Sequence, residues 1–238
     1  MSKILAITVY AGSEKLVEMT ERMLRRLPIC DPSWHVGKDH LHVVAVGNGA
    51  VRMVGDGRVD SHLELVENVG FGNAVNLAIR DFMNKDVTDV LVLNNDLEFP
   101  YPEWLAECCK ERDGKRIISP LTDRTATAAA KASGPRNQDP VLASQVSAFC
   151  WLVPRSVIEL LRKKFGFPLF DPDFFAYGED DYTSAILRKH VDPRPFKVVP
   201  RAWVRHLKHQ TGKEFGLGGG MKRNLKLLHK KMKAHGLR

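Results

Sequence analysis

The stretch Val87-Thr88-Asp89-Val90-Leu91-Val92-Leu93-Asn94-Asn95-Asp96-Leu97-Glu98-Phe99 holds an apolar run, Val90 to Leu93, that stops abruptly at Asn-Asn-Asp. Such a run reads as a strand buried on both faces, the pattern of a parallel sheet. In open α/β sheets, ligands sit outside the carboxyl ends of the strands. Asp96 therefore stands where a bound metal or phosphate is expected, although a lone carboxylate after a strand also serves as a turn or helix cap. The rest of the chain decides between the two readings.

Working outward, residues 3–10 alternate like a strand, and Glu14 to Arg26 reads as a helix with Leu16, Met19, Met23 and Leu24 on one side. His42 to Val46 and His62 to Val66 are short strands, the first ending at Gly47-Asn48-Gly49. Phe71, Val75, Ala78 and Phe82 recur at helical spacing before the Val90 strand. This β-α-β-β-α-β order predicts a mostly parallel sheet covered by helices. Pro100, Pro102 and Trp104 open a helix running to about Arg112. Ile117 to Pro120 is a strand, residues 122–141 read as a mobile loop, Val146 to Val153 is a further strand, and Pro154 starts a helix. The expected organisation is one domain over 1–238: a ligand-binding half (1–121), a second half (142–215) and a basic C-terminal helix (216–238).

A hydrophobic fraction of 44% in 238 residues supports a sizeable core and argues against disorder. No apolar stretch reaches the length of a membrane span. The N-terminal residues lack the long apolar region and cleavage site of a signal peptide. Cys30, Cys108, Cys109 and Cys150 contain no Cys-x-x-Cys pair, which fits free thiols in a reducing cytoplasm and not a disulfide frame or structural zinc. The net charge of +8 is uneven: residues 197–238 hold 12 Lys/Arg against the single acid Glu214. That concentration predicts an anionic partner or a phosphate-rich ligand, set against a plainly solvated helix.

Three further features bear on chemistry. Glu179-Asp180-Asp181 follows Phe170-Asp171-Pro172-Asp173-Phe174-Phe175-Ala176-Tyr177-Gly178 and opens a helix. Acidic residues suit a helix N-terminus, but adjoining carboxylates can also be tuned into a general base. His206 lies in Trp203-Val204-Arg205-His206-Leu207-Lys208-His209, a metal or phosphate contact or an ordinary surface histidine. Gly216, Gly218, Gly219 and Gly220 read as a flexible loop that closes over a diphosphate or links to the last helix, where Met221, Leu225, Leu228 and Met232 form an apolar row among lysines. Neither a complete dinucleotide-binding glycine fingerprint nor a P-loop occurs.

In order along the chain, Asn68-Val69-Gly70-Phe71-Gly72-Asn73-Ala74-Val75-Asn76, Leu93-Asn94-Asn95-Asp96, Phe170 to Asp181 and Arg223-Asn224-Leu225 resemble the motifs of family 2 glycosyltransferases of the GT-A fold, in particular the rhamnosyltransferase-like branch. The resemblance implies an α/β GT-A fold and an inverting transfer from a nucleotide-sugar donor to an acceptor hydroxyl, assisted by Mn2+ or Mg2+. It makes Asp96, with His206, the metal ligands and Asp180 the general base, with Glu179 orienting. Thr8, Tyr10, Asn73, Asn94, Asn95 and Lys208 would hold the nucleoside and diphosphate. Two departures stand out: Asn94 replaces the first carboxylate of the metal motif, and Gly47-Asn48-Gly49-Ala50 replaces Asp-Asn-x-Ser.

The acceptor is left open between a polysaccharide or glycolipid and DNA carrying hydroxymethylated pyrimidines, with residues 221–233 touching an anionic surface. The corresponding location is cytoplasmic, peripheral to a membrane or on DNA. The alternative to an enzyme is a non-catalytic module binding nucleotide-sugar or nucleic acid.

Overall fold

The computed structural model describes residues 3–27, 40–55, 58–122, 139–207 and 218–237. The strands are β1 (Lys3–Gly12), β2 (His40–Ala50), β3 (Ser61–Leu65), β4 (Val87–Asn94), β5 (Leu97–Glu98), β6 (Ile117–Thr122), β7 (Val141–Ala143), β8 (Cys150–Pro154) and β9 (Phe196–His206). The helices are α1 (Glu14–Arg26), α2 (Phe71–Phe82), α3 (Trp104–Lys110), α4 (Arg155–Phe165), α5 (Glu179–His190) and α6 (Gly218–Ala234).

The strands join in the order β3-β2-β1-β4-β8-β6-β9-β5, with β7 also on β9. β3, β2, β1, β4, β6 and β9 run one way, while β8, β7 and β5 run against them. The result is a mixed, mostly parallel sheet flanked by helices. Val90, Leu91, Val92 and Leu93 are all buried, as a strand covered on both faces must be. At about 1.5–3 kcal/mol for each large apolar side chain, this strand is a main contributor to core stability. Leu16, Val17, Met23 and Leu24 on α1, and Val75, Ala78 and Ile79 on α2, cover the sheet. Among the described residues, Cys108, Cys109 and Cys150 are buried, and burial pushes the Cys108 and Cys150 thiols up.

From β1 the chain steps to β2 and β3 on one side, then crosses back so that β4 lies on the other side of β1. The β1/β4 seam is thus the topological switch point, where a crevice opens outside the carboxyl ends of the strands. Val9 stands opposite Asn94 across that seam.

Several expectations need correction. Phe196–His206, to which the sequence reading assigned no element, is an 11-residue strand. Pro200 argues against one by sequence, because proline cannot donate to a ladder. It is accommodated because the β6/β9 pairing slips between Pro120↔Val199 and Thr122↔Val204. The strand expected from Val146 begins at Cys150, and Val141–Ala143 forms β7 at the edge of the expected loop, of which residues 123–138 lie outside the described residues. Gly218–Gly220 are the first turn of α6, not a loop. In the expected apolar row of α6, Leu228 is buried and Met232 packs on the core, whereas Leu225 is exposed. The packed face is turned to include Asn224 and Lys231, whose polar atoms find partners on the 171–176 segment.

Candidate active site

Asp96 follows the end of β4 and is buried. The strand pair β5/β9 places Leu97 opposite His206, and the Leu207 amide donates to the Asp96 carbonyl at 2.9 Å. His206 Nε2 consequently lies 2.9 Å from Asp96 Oδ1. The ring N–H direction misses that oxygen, which is buried and receives no hydrogen bond. Asn94 Nδ2 lies 3.3 Å from the same Nε2 and donates to it when that nitrogen carries its lone pair. A carboxylate oxygen and an imidazole nitrogen thus face each other with no proton in line. A cation is the natural third party to that pair, and a carboxylate with an imidazole suits Mn2+ or Mg2+. Among the described residues no group of three or more His, Cys, Asp or Glu side chains gathers as a metal site. Two protein ligands fit a hard cation whose shell is completed by water and substrate phosphates.

The second cluster opens α5. Glu179 is buried with Oε2 unpartnered, and Asp180 is half-buried. Asp180 Oδ2 accepts the Ala148 amide at 3.2 Å, and its Oδ1 accepts the Asp181 amide at 2.9 Å. Burial, reinforced by Asp180, pushes Glu179 up to about 8. Burial, reinforced by Asp181, pushes Asp180 up to about 6. The helix N-terminus favours both charges, but by only about 0.3–1 kcal/mol, whereas a two-unit rise is about 2.7 kcal/mol. Burial wins, so these carboxylates are not ordinary caps. Separate values on neighbouring carboxyls are how one site holds an acid and a base together.

Ala148 and Phe149 join the two clusters. Ala148 donates to Asp180, while the Phe149 carbonyl accepts the Asn94 amide at 2.8 Å and its ring stacks on His206 at 5.6 Å. Asn94, Asp96, His206, Glu179 and Asp180 therefore share one region at the carboxyl end of β4.

The other sequence candidates sit differently. Thr8, on the β1/β4 seam, is buried with Oγ1 unpartnered. Tyr10 is buried, raised by that burial, and its hydroxyl accepts the Val54 amide at 3.2 Å, so its ring is a packing group. Asn95 donates to Thr20 Oγ1 on α1 at 3.3 Å. Asn73 donates to the carbonyls of Val69 (3.1 Å) and Pro172 (3.0 Å). Lys208 lies outside the described residues.

The Asn68–Asn76 segment is an interlock. Asn76 Nδ2 donates to the Phe170 carbonyl at 2.6 Å, and its Oδ1 accepts the Leu169 and Phe170 amides. A Cβ on Gly70 (φ +88°) would sit 2.1 Å from the Phe175 carbonyl, and one on Gly72 would sit 2.9 Å from Phe170 Cβ. Asn48 and Asn68 tie the end of β2 to this turn: Asn48 Nδ2 donates to Asn68 Oδ1 at 3.0 Å and Asn48 Oδ1 accepts the Val69 amide at 2.9 Å. On the far side, Lys231 of α6 lies 2.7 Å from both Asp171 and Asp173. Burial opposes its charge, but the two aspartates outweigh burial and hold the ammonium above its usual value. Asn224 donates to the Ala176 carbonyl. Between these grips Tyr177 takes φ +65°, a left-handed conformation costly for a non-glycine residue, immediately before Gly178 and Glu179. Sequence reading missed the roles of Ala148, Phe149, Asn76 and Lys231. Only Asn76 carried a signal, as part of a quoted motif.

The same architecture occurs in solved structures. A mannosyltransferase from Pyrobaculum calidifontis, in complex with GDP-Man and Mn2+, superposes with a TM-score of 0.58 at 16% identity, covering 88% of this chain and 58% of that one. Glucosyl-3-phosphoglycerate synthase from Mycobacterium tuberculosis, in complex with Mn2+, UDP-Glc and phosphoglyceric acid, gives 0.59 at 12% identity, covering 100% of this chain and 81% of that one. The fold is GT-A. The same synthase with Mg2+ and UDP gives a TM-score of 0.57 at 13% identity. This chain thus spans little more than half of the mannosyltransferase, and at these identities the GT-A likeness is one of fold. No protein-family model matches the sequence, and no curated protein matches it.

Proposed function

We propose that this GT-A chain is a metal-dependent, inverting glycosyltransferase that moves a hexosyl or deoxyhexosyl group from a nucleotide-sugar to an acceptor hydroxyl. The observation that carries this reading is the unpartnered, buried Asp96 Oδ1 facing His206 Nε2, joined through Ala148–Phe149 to a carboxylate held at about 6. The GDP-Man and UDP-Glc complexes of the two similar structures support the donor class. The four ordered motifs favour the rhamnosyltransferase-like branch of family 2. No helix among the described residues is long and apolar enough to cross a membrane. The free thiols of Cys108 and Cys150 fit a cytoplasmic enzyme.

Asp96 and His206 would hold Mn2+ or Mg2+, which when bound offsets the charge of the departing nucleoside diphosphate. The Asn94 side chain, 3.3 Å from His206 Nε2, would give up that contact when the nitrogen turns its lone pair to the metal. Near pH 7 Asp180 is mostly ionised and takes the proton from the acceptor hydroxyl as its oxygen attacks the anomeric carbon, while the bond from that carbon to the diphosphate breaks. The Ala148 and Asp181 amides fix both oxygens of Asp180 and leave each a lone pair for the acceptor. Glu179 keeps its proton at this pH, so it orients its neighbour without adding charge beside an anionic substrate.

The test is nucleoside diphosphate release across a panel of donors with Mn2+ or Mg2+. Asp96→Ala is expected to lose metal-dependent donor binding, and Asp180→Asn to keep donor binding but lose turnover. Wild-type protein that binds donors yet turns none over, with either metal, is a binding module and overturns the enzymatic reading.

A further inference from the structure

The last helix has two faces. One is spent inside the fold: Leu228 and Leu237 are buried, Met232 packs on the core, Asn224 reaches Ala176, and Lys231 is clamped by Asp171 and Asp173. The other carries Arg223, Lys226, Lys230 and Lys233, all exposed and, among the described residues, without a carboxylate partner. At about 100° per residue these four fall within roughly 80° of arc, and at 1.5 Å per residue they extend for about 15 Å. The helix holds no acidic residue to break the stripe.

From this geometry we infer that the stripe grips the phosphate backbone of a nucleic acid, making the acceptor a polynucleotide. The inference rests on the transferase reading above. Position supports it: Arg223 adjoins Asn224, whose partner Ala176 lies three residues before Glu179, so the helix that carries the stripe begins against the segment leading into α5. Shape supports it as well. The charge is a line one helix wide, which suits a rod of phosphates spaced about 3.4 Å along each strand; four or so face a 15 Å stripe. A helix that settles into a bilayer needs a free apolar face, and here that face is packed against Gly178 and the core.

The experiment is binding of the full chain to a short duplex DNA across a salt series, with phosphatidylglycerol vesicles in parallel. Wild type is expected to lose about a hundredfold in affinity between about 50 and 200 mM salt, with a log–log slope of about −3 to −4 for four phosphate contacts. Each single Lys→Gln change at 226, 230 or 233 should lower that slope by about one. The Arg223→Gln/Lys226→Gln/Lys230→Gln/Lys233→Gln protein should lose the binding while keeping its melting temperature and its nucleotide-sugar affinity. Equal DNA binding by that variant, or no wild-type binding at low salt, overturns the inference. So does vesicle binding that persists at salt where the duplex has dissociated. Donor binding, read separately, tells the two failures apart: DNA binding without any donor sinks the transferase reading, and donor binding without DNA sinks only the polynucleotide.

Discussion

The Asn68–Asn76 turn and the Asn94–Asp96 strand end look alike in sequence, each a polar, asparagine-rich break beside apolar residues. In the fold they are opposites. Asn68, Asn73 and Asn76 place their amides on backbone groups of 69–70 and 169–172, and Gly70 and Gly72 exist to let Phe170 and Phe175 approach. At the strand end, Asp96 keeps a buried oxygen with no donor. A polar group whose hydrogen bonds are all made inside the chain is architecture. One buried without a partner has been retained at a cost of about 1–3 kcal/mol, and the ligand that completes it is the explanation to test.

The sharpest way to break this comparison is to swap chemistry for stability at each place. Asp180→Asn is expected to lower the transfer rate roughly 10²–10⁴-fold, far more than the loss of one backbone hydrogen bond could do through stability. A fall in melting temperature that matches the loss in rate would put Asp180 with the architectural residues. Asn76→Ala should do the reverse: it strands two amides and a carbonyl, costs about 2–3 kcal/mol in denaturant unfolding, and leaves the metal affinity of the folded fraction intact.

Lys231→Met tests a residue between these extremes. It leaves Asp171 buried without its cation, for about 1–3 kcal/mol, between the surface and buried limits. Because Asp171 begins the segment ending in Asp180, kcat should fall while the donor KM holds, and Lys231→Arg should restore part of it. A purely structural role would move the melting temperature alone. Lys231 is therefore a poor choice for probing an anionic partner.

The pH response is subtler. As the proposed base, Asp180 would act only when ionised, so the rate should rise with pH through about 6. Stability runs the opposite way. Both carboxyls are raised in the folded state, so they favour folding below their ordinary values of 3.8 and 4.5, and that advantage is lost as pH rises through about 6 and about 8. Glu179→Gln should accordingly stabilise the protein at pH 8 by on the order of 2–4 kcal/mol and change nothing below pH 4. Thermal melts across that range would check it; the same gain at both ends would mean that Glu179 carries no raised value.

Much of the fold was legible because periodicity reports burial. Val90–Leu93, the α1 stripe and the β-α-β-β-α-β order all follow from which faces must leave water. What escaped was set by tertiary context. Phe196–His206 hides its strand behind Pro200, tolerated only because the pairing slips there. Asp96, His206, Glu179 and Asp180 were named by type and order, and the structure brings them to one end of β4, where their roles are the proposal. Ala148 and Phe149 were not named, since their contribution is a backbone N–H and a carbonyl that every residue possesses. Nor could residue type report that the Tyr10 hydroxyl accepts the Val54 amide or that Asn73 Nδ2 meets two carbonyls.

That dipeptide has one more consequence. Ala148 holds Asp180 and Phe149 holds Asn94, so under the proposed transfer consecutive residues would set the gap between the attacking and the departing side. Acceptor loops can then be exchanged or reshaped without retuning the displacement, whereas a one-residue insertion at 148–149 would leave every side chain in place and still put nucleophile and leaving group out of step.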